Sequence, residues 1–479
     1  MNKQANLQQI LYHFLTVQIE FGTYHDGDRL PAIEEAGPMF LVSADTVRCA
    51  YLRLKQAGYI TLSRSRGAIV NVRYTSEEIN RHIQDYFFPR EEAFLDLGQW
   101  LGHLFGKAWL TGLQAADDET LDQIENLLSQ KDLLPLHRII RFFQYVYGAL
   151  NNELMMHLVW QTLMFYQAPF LSIPSNDCFF ELRMNPLLHM VELCRKKDWA
   201  SLETDIMDYQ DHFSQAVRRF YDSRIHPVSE KSDQTGTVPA IHFQWSSYKK
   251  SSQLCYSIGM DILIAFNREF YLPGSFLPSL KSLAGGYHVS VSTIRRMLAL
   301  LNSIGLTKSI NGVGTRFLHP DEIRENCDLS QPALQRRLRA SLESLQIFAL
   351  SSREVLRMVL KEVDEKTLNH YRLYLCMMRD LKRYELAPFV FLNLTCEYAP
   401  SQAVRTVYQE LFQQLMWAYP LRSIQIEEKS RTEYLSLLDH FLDCLDRSDI
   451  EGLAASLETS LTARHKHLVE LVLTLTEPL

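Results

Sequence analysis

A chain of 479 residues exceeds what one ordinary hydrophobic core organises, and its length predicts about three or four domains. With 47% hydrophobic and 22% charged residues it is a folded protein, and 19 glycines are few for the tight turns and phosphate loops of a large α/β enzyme. The net charge of −7 excludes a globally basic nucleic-acid binder, so any such surface must be local.

Eight cysteines (Cys49, Cys178, Cys194, Cys255, Cys327, Cys376, Cys396 and Cys444) form no CxxC pair and read as buried thiols of a reducing compartment. The opening MNKQANLQQI lacks the basic and apolar regions of a signal peptide. No run approaches the ~18–20 apolar residues of a membrane helix. These features predict a soluble, cytoplasmic protein without membrane contact.

In chain order, LQQILYHFLTVQIEFG carries a helical apolar stripe closed by Gly22. DGDRLP supplies a turn and a proline-marked start to a second helix at about 32–39. In VSADTVRCAYLRLKQAGYI, Ser43 is a good N-cap, and Val47, Ala50, Tyr51 and Leu54 bury one face. Asp45, Thr46, Arg48, Arg53 and Lys55 lie off that face, and Gly58 ends the helix. YITLSRSRGAIVNV then reads as two short strands around Arg64–Gly67, a β-wing. From 43 to 73 there are six Lys or Arg against the single acid Asp45.

Thr75-x-x-Glu78 opens a helical stretch that runs to 221 with Leu, Phe, Tyr and Met at 3/4 spacing. A polar stretch at about 222–250 has linker composition. The pattern then starts again. Residues 27–67 align without gaps on 274–314 at an offset of 247, with ten identities, including Leu30-Pro31 on Leu277-Pro278 and Val42-Ser43 on Val289-Ser290. From 290 to 320 there are four cations (Arg295, Arg296, Lys308, Arg316) and no acid. Further on, QTLMFYQAPFLSI (161–173) resembles QQLMWAYPLRSI (413–424), and Pro169 on Pro420 and Asp198 on Asp449 give an offset of 251.

The predicted fold class is therefore mainly α with small β-wings: two winged helix-turn-helix domains alternating with two all-α helical bundles. The expected boundaries are 1–74 and 251–320 for the winged domains, 75–225 and 321–479 for the bundles, and 226–250 for the linker. In a winged helix-turn-helix the second helix of the pair offers its N-terminal residues to base edges, while cations neutralise phosphates.

GDRLP…VSADTVRCAYLRLKQAGYI…SRG resembles the DNA-binding head of the GntR family, and GSFLP…VSVSTIRRMLALLNSIGL…GVGT resembles a second one. The resemblance implies double-stranded DNA as partner. It points to Asp45, Thr46, Arg48, Arg64, Arg66 and Gly67 in the first head. In the second it points to Lys281, Ser292, Thr293, Arg295, Arg296, Asn311, Gly312 and Gly314. The family's arginine three residues after the proline is replaced by Glu34 and Lys281, and Ala44 and Val291 follow the two Val-Ser pairs. The bodies resemble the FadR type, which implies a small-molecule effector such as a carboxylate metabolite, and dimerisation. Arg138, Arg141 and His189 are the effector-binding candidates. His137, His157, His189 and His212 do not have the metal-binding spacing of that body type, so no metal and no other cofactor is expected.

Two heads in one chain predict an intramolecular pseudo-dimer, with a homodimer of such chains also possible, acting as a regulator and not an enzyme. One alternative is a winged-helix module that binds proteins instead of DNA. The other is a fusion to a pyridoxal-phosphate aminotransferase, against which the absence of a large α/β pattern speaks.

Overall fold

The computed structural model describes residues 3–63, 65–131, 133–225, 239–245, 250–329, 331–423 and 428–475. It divides into two compact units, Met1–Trp245 with Ser401–Ala403, and Ser246–Pro400 with Val404–Leu479. Each carries one two-stranded antiparallel sheet; every other regular element among the described residues is helical.

In the first unit α1 (Lys3–Glu20) buries Leu11, Phe14 and Leu15 and stops before Gly22, whose φ of +77° no L side chain adopts easily. α2 (Ile33–Phe40) ends on Leu41 in the left-handed conformation, and α3 (Ala44–Gln56) starts from Ser43, whose hydroxyl accepts from Thr46 N–H. The helix buries Val47, Ala50, Tyr51 and Leu54 against α1, and Val47 and Leu54 each contribute about 1.5–3 kcal/mol. Tyr51 also donates to the Pro31 carbonyl at 2.7 Å, which ties the recognition helix to the turn before α2. β1 (Ile60–Ser63) and β2 (Gly67–Val70) form the wing, with Ser63 opposite Gly67.

The body follows as α4 (Ser76–Phe87), α5 (Glu91–Gln114), α6 (Asp118–Ser129), α7 (Pro135–Gly148), α8 (Glu153–Thr162), a π-turn (Leu163–Gln167), α9 (Ala168–Leu171), α10 (Asp177–Lys196) and α11 (Trp199–Arg224). Thr75 and Glu78 close the expected capping box at the start of α4. Head and body share a core: Trp160 donates to the Phe40 carbonyl at 2.9 Å, and the Phe40 ring meets both Phe14 and His137. Within the expected linker, residues 239–245 pack on this body. Phe243 and Trp245 are buried, and Ile241 N–H donates to the Pro89 carbonyl at 2.7 Å. Residues 226–238 and 246–249 lie outside the described residues.

The second unit repeats the plan: α12 (Lys250–Asn267), α13 (Leu280–Gly286), α14 (Val291–Ser303), β3 (Thr307–Ile310), β4 (Gly314–Phe317), α15 (Ile323–Asn326), α16 (Pro332–Glu362), α17 (Glu365–Asp380), α18 (Ala387–Tyr398), α19 (Gln402–Gln414), a 3-10 stretch (Leu415–Ser423), α20 (Glu428–Asp446) and α21 (Ile450–Leu475). The offset seen in the sequence holds at element ends. Lys3 and Glu20 bound α1 where Lys250 and Asn267, 247 positions on, bound α12. α3 and α14 keep the same offset, and α11 and α21 keep 251 at both ends.

Candidate nucleic-acid interface

The two recognition helices begin identically. Ser43 and Ser290, both in extended backbone, accept the N–H of Thr46 and Thr293 at 3.2 Å, and each hydroxyl also contacts the threonine hydroxyl at 2.9 Å. The threonines are thereby part of the helix start. Thr46 is only 1% exposed, which corrects the expectation that it reaches DNA: a side chain buried beneath its own N-cap has no path to a groove. Thr293 is half-buried in the same arrangement.

Beyond the cap the helices differ. Arg48 is exposed, yet its Nη1 lies 2.5 Å from Asp45 Oδ1, so the cation of the first helix is held by its own neighbour. Such an exposed pair is worth only about 0–1 kcal/mol and can be exchanged for a phosphate, but Asp45 stays at the contact surface. In the second helix Ser292 occupies the Asp45 position, and its hydroxyl turns to Ser290 at 2.7 Å. Arg295 and Arg296 are both exposed, and among the described residues no carboxylate lies within ion-pair distance of either.

The wings differ in the opposite sense. Arg66 is exposed and its N–H donates to Ser63 Oγ, while Gly67 adopts a φ of +75° under the Arg29 guanidinium. Arg64 lies outside the described residues. In the second wing Gly312 and Gly314 both take positive φ around Val313, which is 66% exposed; Asn311 and Lys308 are exposed as well. Arg316, one of the four cations between 290 and 320, is bound bidentately by Glu322, at 3.1 and 2.7 Å. That partner holds the Glu322 carboxyl down at about 2. Lys281 is exposed on α13.

The effector candidates of the first body have local partners. Arg138 donates to the Leu128 carbonyl at 2.8 Å, Arg141 is half-buried on α7, and the exposed His189 pairs with Asp205 at 2.7 Å. His137 is buried against Phe40, and burial pushes its imidazole down to about 4. Among the described residues no group of three or more His, Cys, Asp or Glu is placed to hold a metal ion, and no helix is long and apolar enough to cross a membrane.

A helix-turn-helix pair followed by a wing, with arginines displayed at the start of the second helix, defines a winged-helix DNA-binding regulator. The family model described as "Bacterial regulatory proteins, gntR family" matches at residues 7–70 and again at 261–317. The chain thus carries two DNA-binding heads of the gntR type, an internal duplication. No curated protein matches the chain.

Three solved structures are similar to parts of it. Streptococcus agalactiae GntR has 12% identity and a TM-score of 0.22, covering 45% of this chain and 99% of its own. A structure titled "Lar controls the expression of the Listeria monocytogenes agr system and mediates virulence" has 16% identity and a TM-score of 0.22, covering 47% and 100%. A transcriptional regulator (GntR family member) from Pseudomonas syringae pv. tomato str. DC3000 has 12% identity and a TM-score of 0.23, covering 47% and 89%.

Proposed function

We propose that one chain grips duplex DNA with both heads as an intramolecular pseudo-dimer acting in the cytoplasm, and that a small molecule held in the helical bodies modulates the grip. The carrying observation is that each head displays exposed arginines in a family-typical frame: Arg48 and Arg66 in the first, Arg295 and Arg296 in the second. Phosphate neutralisation by these groups supplies affinity that falls steeply with salt. Their unequal placement supports an asymmetric operator, whose half-sites make different demands on helix and wing. Body 1 and body 2 act as FadR-like modules in this reading.

The test is an anisotropy titration of the full chain on duplexes selected from random sequence, at two salt concentrations. Affinity must weaken with salt and require both half-sites. Salt-independent binding, or full affinity for a single half-site, overturns the proposal.

A second reading applies to the wing of head 2. Val313 at 66% exposed and Phe276 at 47%, which bridges to Arg316 beside Gly314, place apolar groups where a phosphate-facing wing would carry cations, which favours a protein contact there.

A further inference from the structure

The two bodies share a helical plan but differ at their centres. In the first, Phe21, Phe94, Phe170, Phe213 and Phe220 are all buried. Phe87 and Tyr166 join them into one aromatic cluster, with ring centroids 5.9 Å apart for Phe21–Phe87, 5.3 Å for Phe87–Phe94, 5.2 Å for Phe94–Tyr166 and 5.2 Å for Tyr166–Phe213. Phe170 closes the ring of contacts to Phe213 and Phe220 at 5.4 and 5.5 Å.

At the offset of 247 for α1 and α5, and of 251 for α9 and α11, these five positions fall on Arg268, Ser341, Leu421, Arg464 and Leu471. The offset of 247 still holds just after α5. Asp117 caps α6 by accepting from Thr120 N–H, and Asp364 caps α17 by accepting from Thr367 N–H. All five replacement residues line one cavity of about 630 Å³ in the second unit. Where the first body has a filled aromatic centre, the second has a hollow.

The hollow carries charge. Arg268 follows directly on α12, the first helix of the head. Its Nε donates to the Tyr374 hydroxyl, and its guanidinium lies 3.9 Å from the centre of the Tyr374 ring. Among the described residues no carboxylate lies within ion-pair distance of Arg268. Arg464, from α21 of the body, stacks 4.8 Å over Phe389 and donates to the Glu385 carbonyl at 3.0 Å. Glu385, Glu433 and His467 also lie on the lining, with three tyrosines and two asparagines, and the rest is largely apolar. A half-buried guanidinium in an apolar wall gains most from a planar anion that can accept two of its N–H groups.

We propose that this cavity is a binding site for an organic carboxylate with a bulky apolar body, its carboxylate at Arg268 and Arg464 and its ring system in the space of the missing phenylalanines. Because Arg268 belongs to the head and Arg464 to the last body helix, the bound anion joins the two. This deepens the reading of the chain as a ligand-responsive regulator and rests on it for its biological use. The binding itself is tested without DNA.

The experiment is a ligand-detected NMR titration of the full chain with three matched probes: 2-naphthoate, 2-naphthalenemethanol and 2-naphthylmethylamine. Naphthoate is expected to bind about tenfold or more tighter than the alcohol, the scale of one charge-assisted hydrogen bond, and the amine more weakly than either. Arg268→Leu is expected to bring naphthoate down to the affinity of the alcohol, and Arg268→Gln, a milder change, to do most of the same. Refilling the hollow with Ser341→Phe and Leu421→Phe is expected to abolish binding of all three without lowering the melting temperature. Equal binding of acid and alcohol, naphthoate binding unchanged in both Arg268 variants, or naphthoate still bound by the refilled, folded variant would each overturn the assignment. A failure of the unliganded chain to bind DNA would remove the regulator reading and leave this result standing.

Discussion

The two heads are built on one plan, yet they place their cations differently. In the first, the helix arginine Arg48 is tied to Asp45, and the wing carries the exposed Arg66. In the second, Arg295 and Arg296 have no ion-pair partner among the described residues, while the wing arginine Arg316 is held by Glu322 and Val313 is exposed at the wing tip. A duplicated head can thus divide the work of DNA contact, one copy leaning on its wing and the other on its helix. The bodies diverge in parallel. One packs a connected aromatic centre; the other trades the same five positions for two arginines, a serine and two leucines around open space.

The largest expected effect tests the bodies. Phe213→Ala removes a fully buried ring from the cluster and should cost about 3–5 kcal/mol in denaturant unfolding. Leu421→Ala, whose neighbours already face the hollow, should cost about 2 kcal/mol or less. Equal losses would break the comparison.

Next comes the pH response of the first unit. His137 has its folded-state value pushed down to about 4, so the unfolded chain binds the extra proton between its ordinary value of 6.5 and 4. Stability should therefore be intact above that window and fall as pH drops through it, by about 3 kcal/mol in total. Thermal melts across this range should show the slope in the wild type and lose it in His137→Phe. A slope that persists in the variant would assign it to another group.

The heads supply the smaller effects. Arg295→Ala should weaken binding to selected DNA by about 1–3 kcal/mol and reduce the salt slope by about one phosphate contact. Arg48→Ala should cost less, because Asp45 already holds that guanidinium. Asp45→Asn releases Arg48 and removes a negative charge from the contact face; anisotropy should register a gain of about 1 kcal/mol or less. A loss on Asp45→Asn would mean the carboxylate itself reads a base.

The heads were legible because their signals are local. N-cap serines, C-terminal glycines and the Leu-Pro turn act through backbone geometry, and the offset of 247 between them reappears at the ends of α1 and α12 and of α3 and α14. Thr46 misled because a polar residue near a helix start reads as a contact group, whereas here it completes the cap under Ser43. Arg316 misled because a cation count does not show that Glu322, six positions on, folds back onto it. In the bodies the helical spacing of Leu, Phe, Tyr and Met was legible, and Tyr166 and Phe170 are among the buried residues. The hollow was not. It depends on five positions from four separate segments meeting at one point, and the offset that relates the copies shifts from 247 to 251 among them. The packing of 239–245 was hidden by the polar residues that flank Phe243 and Trp245.

The account stands or falls on one polypeptide holding one duplex with both heads. The direct measurement is the solution mass of the complex with a selected duplex carrying two half-sites, together with footprints of the wild type and of Arg295→Ala. One chain per duplex, with unequal protection of the two halves and loss of one half in the variant, is the predicted result. Two chains per duplex, or equal protection that survives Arg295→Ala, would contradict it.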